Sequence, residues 1–361
     1  VQKRLLSLDA LRGFDMFWII GGDYLIHSIS VVTGFTFFQL LSEQLQHVPW
    51  DGLHAYDLIF PLFMFISGVS LTFSLDKALF IGVSKVEFLK SAGWRAFVLV
   101  FLGIIYNFGW SLDAEKFRVA SVLGQIGVAY FIAALVFVLT PQWYMRLLCL
   151  CAVLTMVALL QLALPVPGVG AGVFTPEGTV NGWVDRMMLP GRLYGGSYDP
   201  EGYIAVLSSS AVTMAGGLIG QLLITFDQRR GSIVLGSLLI AALLITAAFS
   251  VSSFYPIIKA IWTVPFVLVS IGFSIALLVV FYYVIDVMGY RSCAFIFAVI
   301  GMNSIGVYMG ARFFVYPILQ MTVVDAAWSA PYIAIPLIVG VVAIEWLVLW
   351  WCYQKKWFLK V

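Results

Sequence analysis

Ten runs of mostly apolar residues, nearly all close to 20 residues long, leave this chain few ways to fold. A helix needs about 20 such residues to cross the hydrocarbon core of a bilayer. Residues 8–29, 57–76, 96–111, 119–140, 144–164, 203–225, 232–252, 260–284, 293–315 and 331–353 qualify. In hydrocarbon every backbone N–H and C=O must find a partner inside the protein, which leaves helices or closed barrels. The runs lack the period-two alternation of barrel strands. Only 11% of the 361 residues are charged, against about 25% in a soluble domain. The reading is an all-α, polytopic membrane bundle of about ten transmembrane helices, forming a single domain over residues 1–361.

Charge sets the orientation. With the N-terminus inside, 14 of the 20 Lys and Arg fall at cytoplasmic ends and 6 outside, as the positive-inside rule requires. Both termini then face the cytoplasm. The outer loop 30–56 has no Lys or Arg, and the outer segment 165–202, rich in Pro and Gly, reads as an irregular lid. The opening VQKRLLSLDALRGFD lacks the apolar core and cleavage site of a removable leader. A net charge of +2 gives no reason to expect a nucleic-acid partner, and four cysteines without a C-x-x-C spacing suggest neither a disulfide framework nor a metal site.

Ionisable groups at the edge of hydrocarbon are functional candidates by default. The densest set is HVPWDGLHAYDLIFPLFMFISG, residues 47–68. His47 can accept a proton near neutral pH and needs a partner that fixes its tautomer. Asp23, near the outer end of the first span, is the expected orienting carboxylate. His27 and His54 compete with His47 for the role of base. Asp57 opens the second span, where it either caps the helix or shapes an acceptor site together with Trp50. Lys259 and the pair Asp199 and Glu201, from the outer segments, are further acceptor-binding candidates. Inside, Arg12 lies one turn from Asp9 and has a planar fork suited to phosphate; Arg95 adds to that patch. Asn303 is a candidate donor to an oxyanion. Gln125 and Ser304 are polar groups in spans that either bind a ligand or bond to other helices. No G-x-S-x-G, P-loop or H-E-x-x-H occurs.

Taken together, RLLSLDALRGFDM, HVPWDGLHAYDLIFPLFMFISG, LGQIGVAYF, VDRMMLPGRLYGGSYDPEG, KAIWTVPFVL and GMNSIGVY resemble, in this order, the heparan-alpha-glucosaminide N-acetyltransferase family and its bacterial relatives. These are transmembrane acyltransferases; the animal member moves acetyl from cytosolic acetyl-CoA to a terminal glucosamine amine inside the lysosome. The resemblance implies that His47 is the catalytic histidine and that Asp23 stands where animal members carry an asparagine. It implies acetyl-CoA as co-substrate, with no metal, and an amino-sugar or glycan acceptor on the outer face. It also implies a location in a bacterial inner membrane among lipid, and leaves room for a homodimer. The other readings are polysaccharide O-acetylation and a glycan or lipid transporter.

Overall fold

The computed structural model describes residues 5–109, 117–225, 230–319 and 331–359. Lys3, Arg4, Lys116, Arg229 and Lys360, counted in the charge balance, lie outside them. Each of the ten apolar runs becomes helix. The membrane-length helices are α1 (Leu6–Thr33), α3 (Ala55–Phe80), α4 (Lys85–Phe108), α5 (Val122–Leu139), α6 (Trp143–Ala163), α8 (Tyr203–Thr225), α9 (Gly231–Val251), α10 (Val264–Val287) and α13 (Tyr332–Gln354). The run 293–315 is instead a broken span, α11 (Ala294–Gly301) and α12 (Ser304–Val315), bent by 73°. Two short helices, α2 (Thr36–Gln44) and α7 (Val180–Met188), fill parts of the segments 30–56 and 165–202 expected to be loops. Among the described residues, strand pairing is limited to isolated bridges. The protein is a multi-pass membrane protein.

Local chemistry sets the ends. α4 begins about ten residues before its apolar run because Ser84 and Glu87 form a reciprocal cap: Glu87 N–H donates to Ser84 Oγ (3.2 Å) and Ser84 N–H to Glu87 Oε2 (3.0 Å). Ser121 Oγ caps α5 by accepting from Gly124 N–H at 3.0 Å. Within α1 the helix widens to a π-turn over Trp18–Gly22, where Gly21 has φ 136°, a value that favours glycine. Asp23 follows at once. The hydroxyl of Tyr316 donates to the Ile19 carbonyl that this turn leaves available (3.2 Å).

The core forms around α3 and α8, the most extensive helix pair among the described residues. Lipid gives helices no hydrophobic reason to associate, so small residues and close van der Waals packing do the work. A methyl group on Gly68 would overlap the Thr213 carbonyl, and one on Gly216 the Phe65 carbonyl. Gly216→Val should therefore push the two helices apart. The expected loss is about 1–3 kcal/mol of stability, read as earlier thermal unfolding in detergent; an unchanged unfolding temperature would refute close packing there.

Candidate active site

The second span starts with one carboxylate doing two jobs. Asp57 is buried at the first turn of α3. Its Oδ2 accepts the His54 backbone N–H at 3.1 Å and the Val48 N–H at 3.4 Å, which caps the helix and folds the preceding loop back. That fold places His47 on the other oxygen, with Nδ1 2.8 Å from Asp57 Oδ1. A carboxylate only accepts, so Nδ1 carries the proton, and Nε2 is left as the accepting nitrogen. Half of the His47 side chain is exposed (56%), whereas Asp57 is sealed (1%).

Lys259 completes the group. Its Nζ lies 3.2 Å from Asp57 Oδ1, and 2.9 and 3.4 Å from the two ring nitrogens of His47. The ammonium is thus closer to Nδ1, the nitrogen that faces Asp57. Burial pushes the Lys259 pKa down, and the Asp57 charge opposes that shift. The lysine is delivered by a laced loop. Gly52 N–H donates to the Ile257 carbonyl (2.9 Å), and Ile258 N–H to Thr263 Oγ1 (3.0 Å). Trp262, fully buried between Phe60 and Phe266, sits at φ 49°, a left-handed conformation unfavourable for a bulky residue. Ser208 Oγ donates to its carbonyl at 2.6 Å. Backbone strain of this kind persists where surrounding structure over-determines it, often at functional sites.

Asp23 is not the residue on His47. It lies one aromatic ring further in: the His47 ring packs on Tyr56 with centroids 4.8 Å apart, and the Tyr56 hydroxyl donates to Asp23 Oδ2 at 3.4 Å. The expected orienting role falls to Asp57 because the capping loop returns His47 to the helix start, ten residues along the chain. His54 is occupied with the Gln46 carbonyl (Nδ1 at 3.0 Å), and His27 with Ser42 Oγ (3.0 Å).

Segments 30–56 and 165–202 are tied down rather than open. Trp50 Nε1 donates to the Phe174 carbonyl (2.6 Å), and its ring meets Tyr198 edge-on, which fastens loop 30–56 to the lid. Asp199 is fully buried and takes a bidentate bond from Arg118 (Nε 2.8 Å, Nη2 2.6 Å). Glu201 also contacts Arg118 Nη2. Burial works against the Arg118 charge, but the hydrogen bonds and charges of Asp199 and Glu201 outweigh it and raise its pKa. Asp185, pushed up to about 7 by burial, accepts the N–H groups of Asp199 (3.3 Å) and Tyr203 (3.2 Å) at the start of α8. Asp199 thus has its oxygens committed to Arg118 and to backbone N–H groups. Arg118 and Asp185, which hold this clasp, were not singled out in the sequence. Their only signal there was an outer arginine and an acidic residue near a glycine-rich turn.

A cavity of about 590 Å³ opens at the other end of the bundle. Arg12, Arg95, Ser67, Ser70 and Ser304 line it, together with Lys77 and Asp76. Arg12 donates to Ser70 Oγ at 3.0 Å and lies 3.6 Å from Asp9 Oδ1. Arg95 stacks on Tyr130, and its buried Nε has no hydrogen-bond partner among the described residues. Gln125 does not reach this cavity; its amide bonds Ser209 Oγ (2.9 Å) and the Ala205 carbonyl on α8. Asn303 also has a different place from the one expected. At the break before α12 its amide holds the tail, donating to the Trp357 carbonyl and accepting from Leu359 N–H, both at 3.0 Å. Its neighbours Met302 and Ser304 line the cavity with Leu359, so Asn303 belongs to that mouth rather than to His47.

Residues 4–230 match the family model described as heparan-alpha-glucosaminide N-acetyltransferase, catalytic. The chain belongs to this family. The human protein named heparan-alpha-glucosaminide N-acetyltransferase is 29% identical over 380 residues, which cover 87% of this chain and 53% of the human one. The mouse protein of the same name is 28% identical over 331 residues, 73% of this chain and 48% of its own. The chain spans about half the length of the curated relatives it matches. The family match includes His47, Asp57, the Arg12 cavity wall and the Arg118 clasp; Lys259 and the broken span lie beyond it. Among the described residues no group of three or more His, Cys, Asp or Glu is placed to hold a metal ion.

Proposed function

We propose that the protein transfers acetyl from cytosolic acetyl-CoA to the amine of a terminal glucosamine or similar amino sugar on the outer face. The observation that carries this reading is His47, held by Asp57 through Nδ1 with Nε2 left to accept a proton. A general base of this kind contributes about 10²–10⁴-fold to rate. In the reaction the amine nitrogen attacks the thioester carbonyl, a C–N bond forms, and the C–S bond breaks. His47 Nε2 takes the amine proton, and CoA leaves as its thiolate.

The donor site fits the cavity at the far end. Two guanidinium groups, a lysine and several serine hydroxyls suit phosphate oxygens, and the unpartnered Nε of Arg95 gives one of them a free donor. The two ends are linked by shared helices. α3 carries Asp57 at one end and Phe63, Ser67, Ser70 and Ser74 along the cavity wall. At 1.5 Å per residue, Phe63 lies about 9 Å along the helix from Asp57. That spacing supports delivery of an acetyl group through the bundle rather than diffusion around it. Both termini face the cytoplasm in this reading, and the membrane is a bacterial inner membrane.

The deciding experiment gives purified protein labelled acetyl-CoA and a panel of free amino sugars and glycan ends. Mass spectrometry should find acetyl on an amine; label found only on hydroxyls, or no acceptor at all, would refute N-acetyl transfer. Arg12→Ala should raise the KM for acetyl-CoA at least about tenfold, since a charge-assisted bond is worth roughly 1.5–3 kcal/mol. An unchanged KM would move the phosphate site elsewhere.

A further inference from the structure

One oxygen of Asp57 serves two groups that can each carry a positive charge. Asp57 Oδ1 lies 2.8 Å from His47 Nδ1 and 3.2 Å from Lys259 Nζ. The other oxygen is taken by the N–H groups of His54 and Val48. Nδ1 and Nζ are themselves only 2.9 Å apart. With Nδ1 giving its proton to Asp57, both nitrogens are donors and neither can bond the other, so the carboxylate alone holds them together. The lysine has little room to withdraw. Ile258 pairs with Asp51 in an isolated bridge, and Thr263 Oγ1 donates to the Pro256 carbonyl at 2.8 Å. The backbone that carries Lys259 is thus joined to the loop that carries His47. The other titratable groups around the ring have partners of their own or face water. Tyr56 packs on it and gives its hydroxyl to Asp23, His54 is held by the Gln46 carbonyl, and Asp51 is exposed. Glu201 acts on Lys259 from the turn before α8, where Arg118 holds it.

We propose that Lys259 is a positioning residue that keeps the His47 ring neutral between turnovers and makes it release the proton it takes during one. The proposal rests on the reading of His47 as base for an amine acceptor. One negative charge offsets one positive charge. With Lys259 as ammonium, Asp57 is already balanced, and a proton added to His47 leaves two positive groups 2.9 Å apart on one carboxylate. A like charge this close disfavours the protonated ring, whereas a carboxylate alone favours it. Asp57 is sealed from water and the Lys259 side chain is mostly buried, so the interaction is weakly screened on that side. Without the lysine the carboxylate would favour a protonated ring, which cannot take a proton from the next amine. The proton balance of the step is closed. Nε2 takes a proton from the attacking nitrogen as the C–N bond forms, which leaves an imidazolium beside the ammonium. The ring passes that proton to the thiolate sulfur released when the C–S bond breaks, and is neutral again. Lys259 touches neither amine nor thioester in this account and acts through Asp57 and the ring.

The test reads the ring without turnover. His47 is half exposed, so diethyl pyrocarbonate, which reacts with the neutral imidazole only, can reach it. The detergent-purified full chain is labelled across the neutral pH range without acetyl-CoA or acceptor, and peptide mass spectrometry gives the rate at His47. In Lys259→Met the pH midpoint of labelling should move up by about 1–3 units, the range a close charge commands. Lys259→Arg keeps the charge and should keep the wild-type midpoint. Lys259→Gln removes the charge but keeps a donor to Asp57, so it reports even where methionine disturbs the loop. The second readout is the pH profile of kcat/KM for acetyl transfer, whose acidic limb should move up with the uncharged variants and stay with Lys259→Arg. One midpoint shared by wild type, Lys259→Met and Lys259→Gln would overturn the proposal and leave His47 as base. A higher KM for the acceptor with an unmoved acidic limb would also overturn it, and would make Lys259 an acceptor contact. Wild-type kcat in His47→Ala, with the labelling midpoint still set by Lys259, would remove the base reading and leave the charge coupling standing.

Discussion

Replacing His47 with alanine should lower acetyl transfer by about 10²–10⁴-fold, the usual contribution of a positioned general base. The loss should appear in kcat, because in the proposed mechanism Nε2 takes the amine proton as the bond to carbon forms. The KM for acetyl-CoA should stay within a few fold, since Arg12 and Arg95 lie at the opposite mouth. Asp57→Asn is the sharper companion. An asparagine keeps the volume and can still accept the capping N–H groups, but it no longer offers a carboxylate to Nδ1–H, so the tautomer is no longer fixed. Turnover should fall while unfolding temperature changes little. The measurement is initial rate against acetyl-CoA and acceptor for both variants. Wild-type kcat in His47→Ala would remove the imidazole from the mechanism. Wild-type kcat in Asp57→Asn alone would reduce that carboxylate to a helix cap.

Arg118→Ala should be the most damaging substitution for stability. Asp199 is wholly buried and receives two short bonds from that guanidinium, and Glu201 shares it. Removing one partner of a buried ion pair leaves an uncompensated charge and costs about 3–5 kcal/mol. Neutralising both sides is a different matter. Arg118→Met combined with Asp199→Asn and Glu201→Gln leaves no buried net charge and should recover part of the loss. Thermal unfolding in detergent reads both variants. A single variant as stable as wild type would show that the clasp contributes nothing, and a triple variant no better than the single one would show that the loss does not come from an uncompensated charge. The clasp also joins distant parts of the chain, because Arg118 ties the segment before α5 to the turn that starts α8. Trp50 in turn fastens the first loop to the lid.

Much of the fold was legible because bilayer physics is one-dimensional. A run of about 20 apolar residues states its own length, so nine membrane-length helices among the described residues could be placed from the chain alone, and the tenth run, 293–315, is a broken pair. Where chemistry sits close in sequence, the neighbourhood was legible: His47 and Asp57 are ten residues apart in one motif, though the sequence reading did not pair them, and Asp9 and Arg12 share a helical turn. The errors have a common origin. Asp23 and His47 were paired because both mark the outer mouth, yet the capping geometry of Asp57 gives His47 a nearer carboxylate. Asn303 looked like a polar group within a continuous span, and the structure breaks the helix there and gives its amide to the tail. Asp199 and Glu201 read as ligands because a free carboxylate pair is indistinguishable in sequence from one already held by an arginine 81 residues earlier.

The chain by itself determined that this is a helical membrane protein with an ionisable cluster at one rim and arginines at the other, since hydrocarbon tolerates few other patterns. Only the tertiary structure decided which carboxylate holds His47, which lysine contacts it, and which tyrosine packs on its ring. Those choices depend on loops and helix faces brought together from distant positions, and no local pattern encodes contacts of that range.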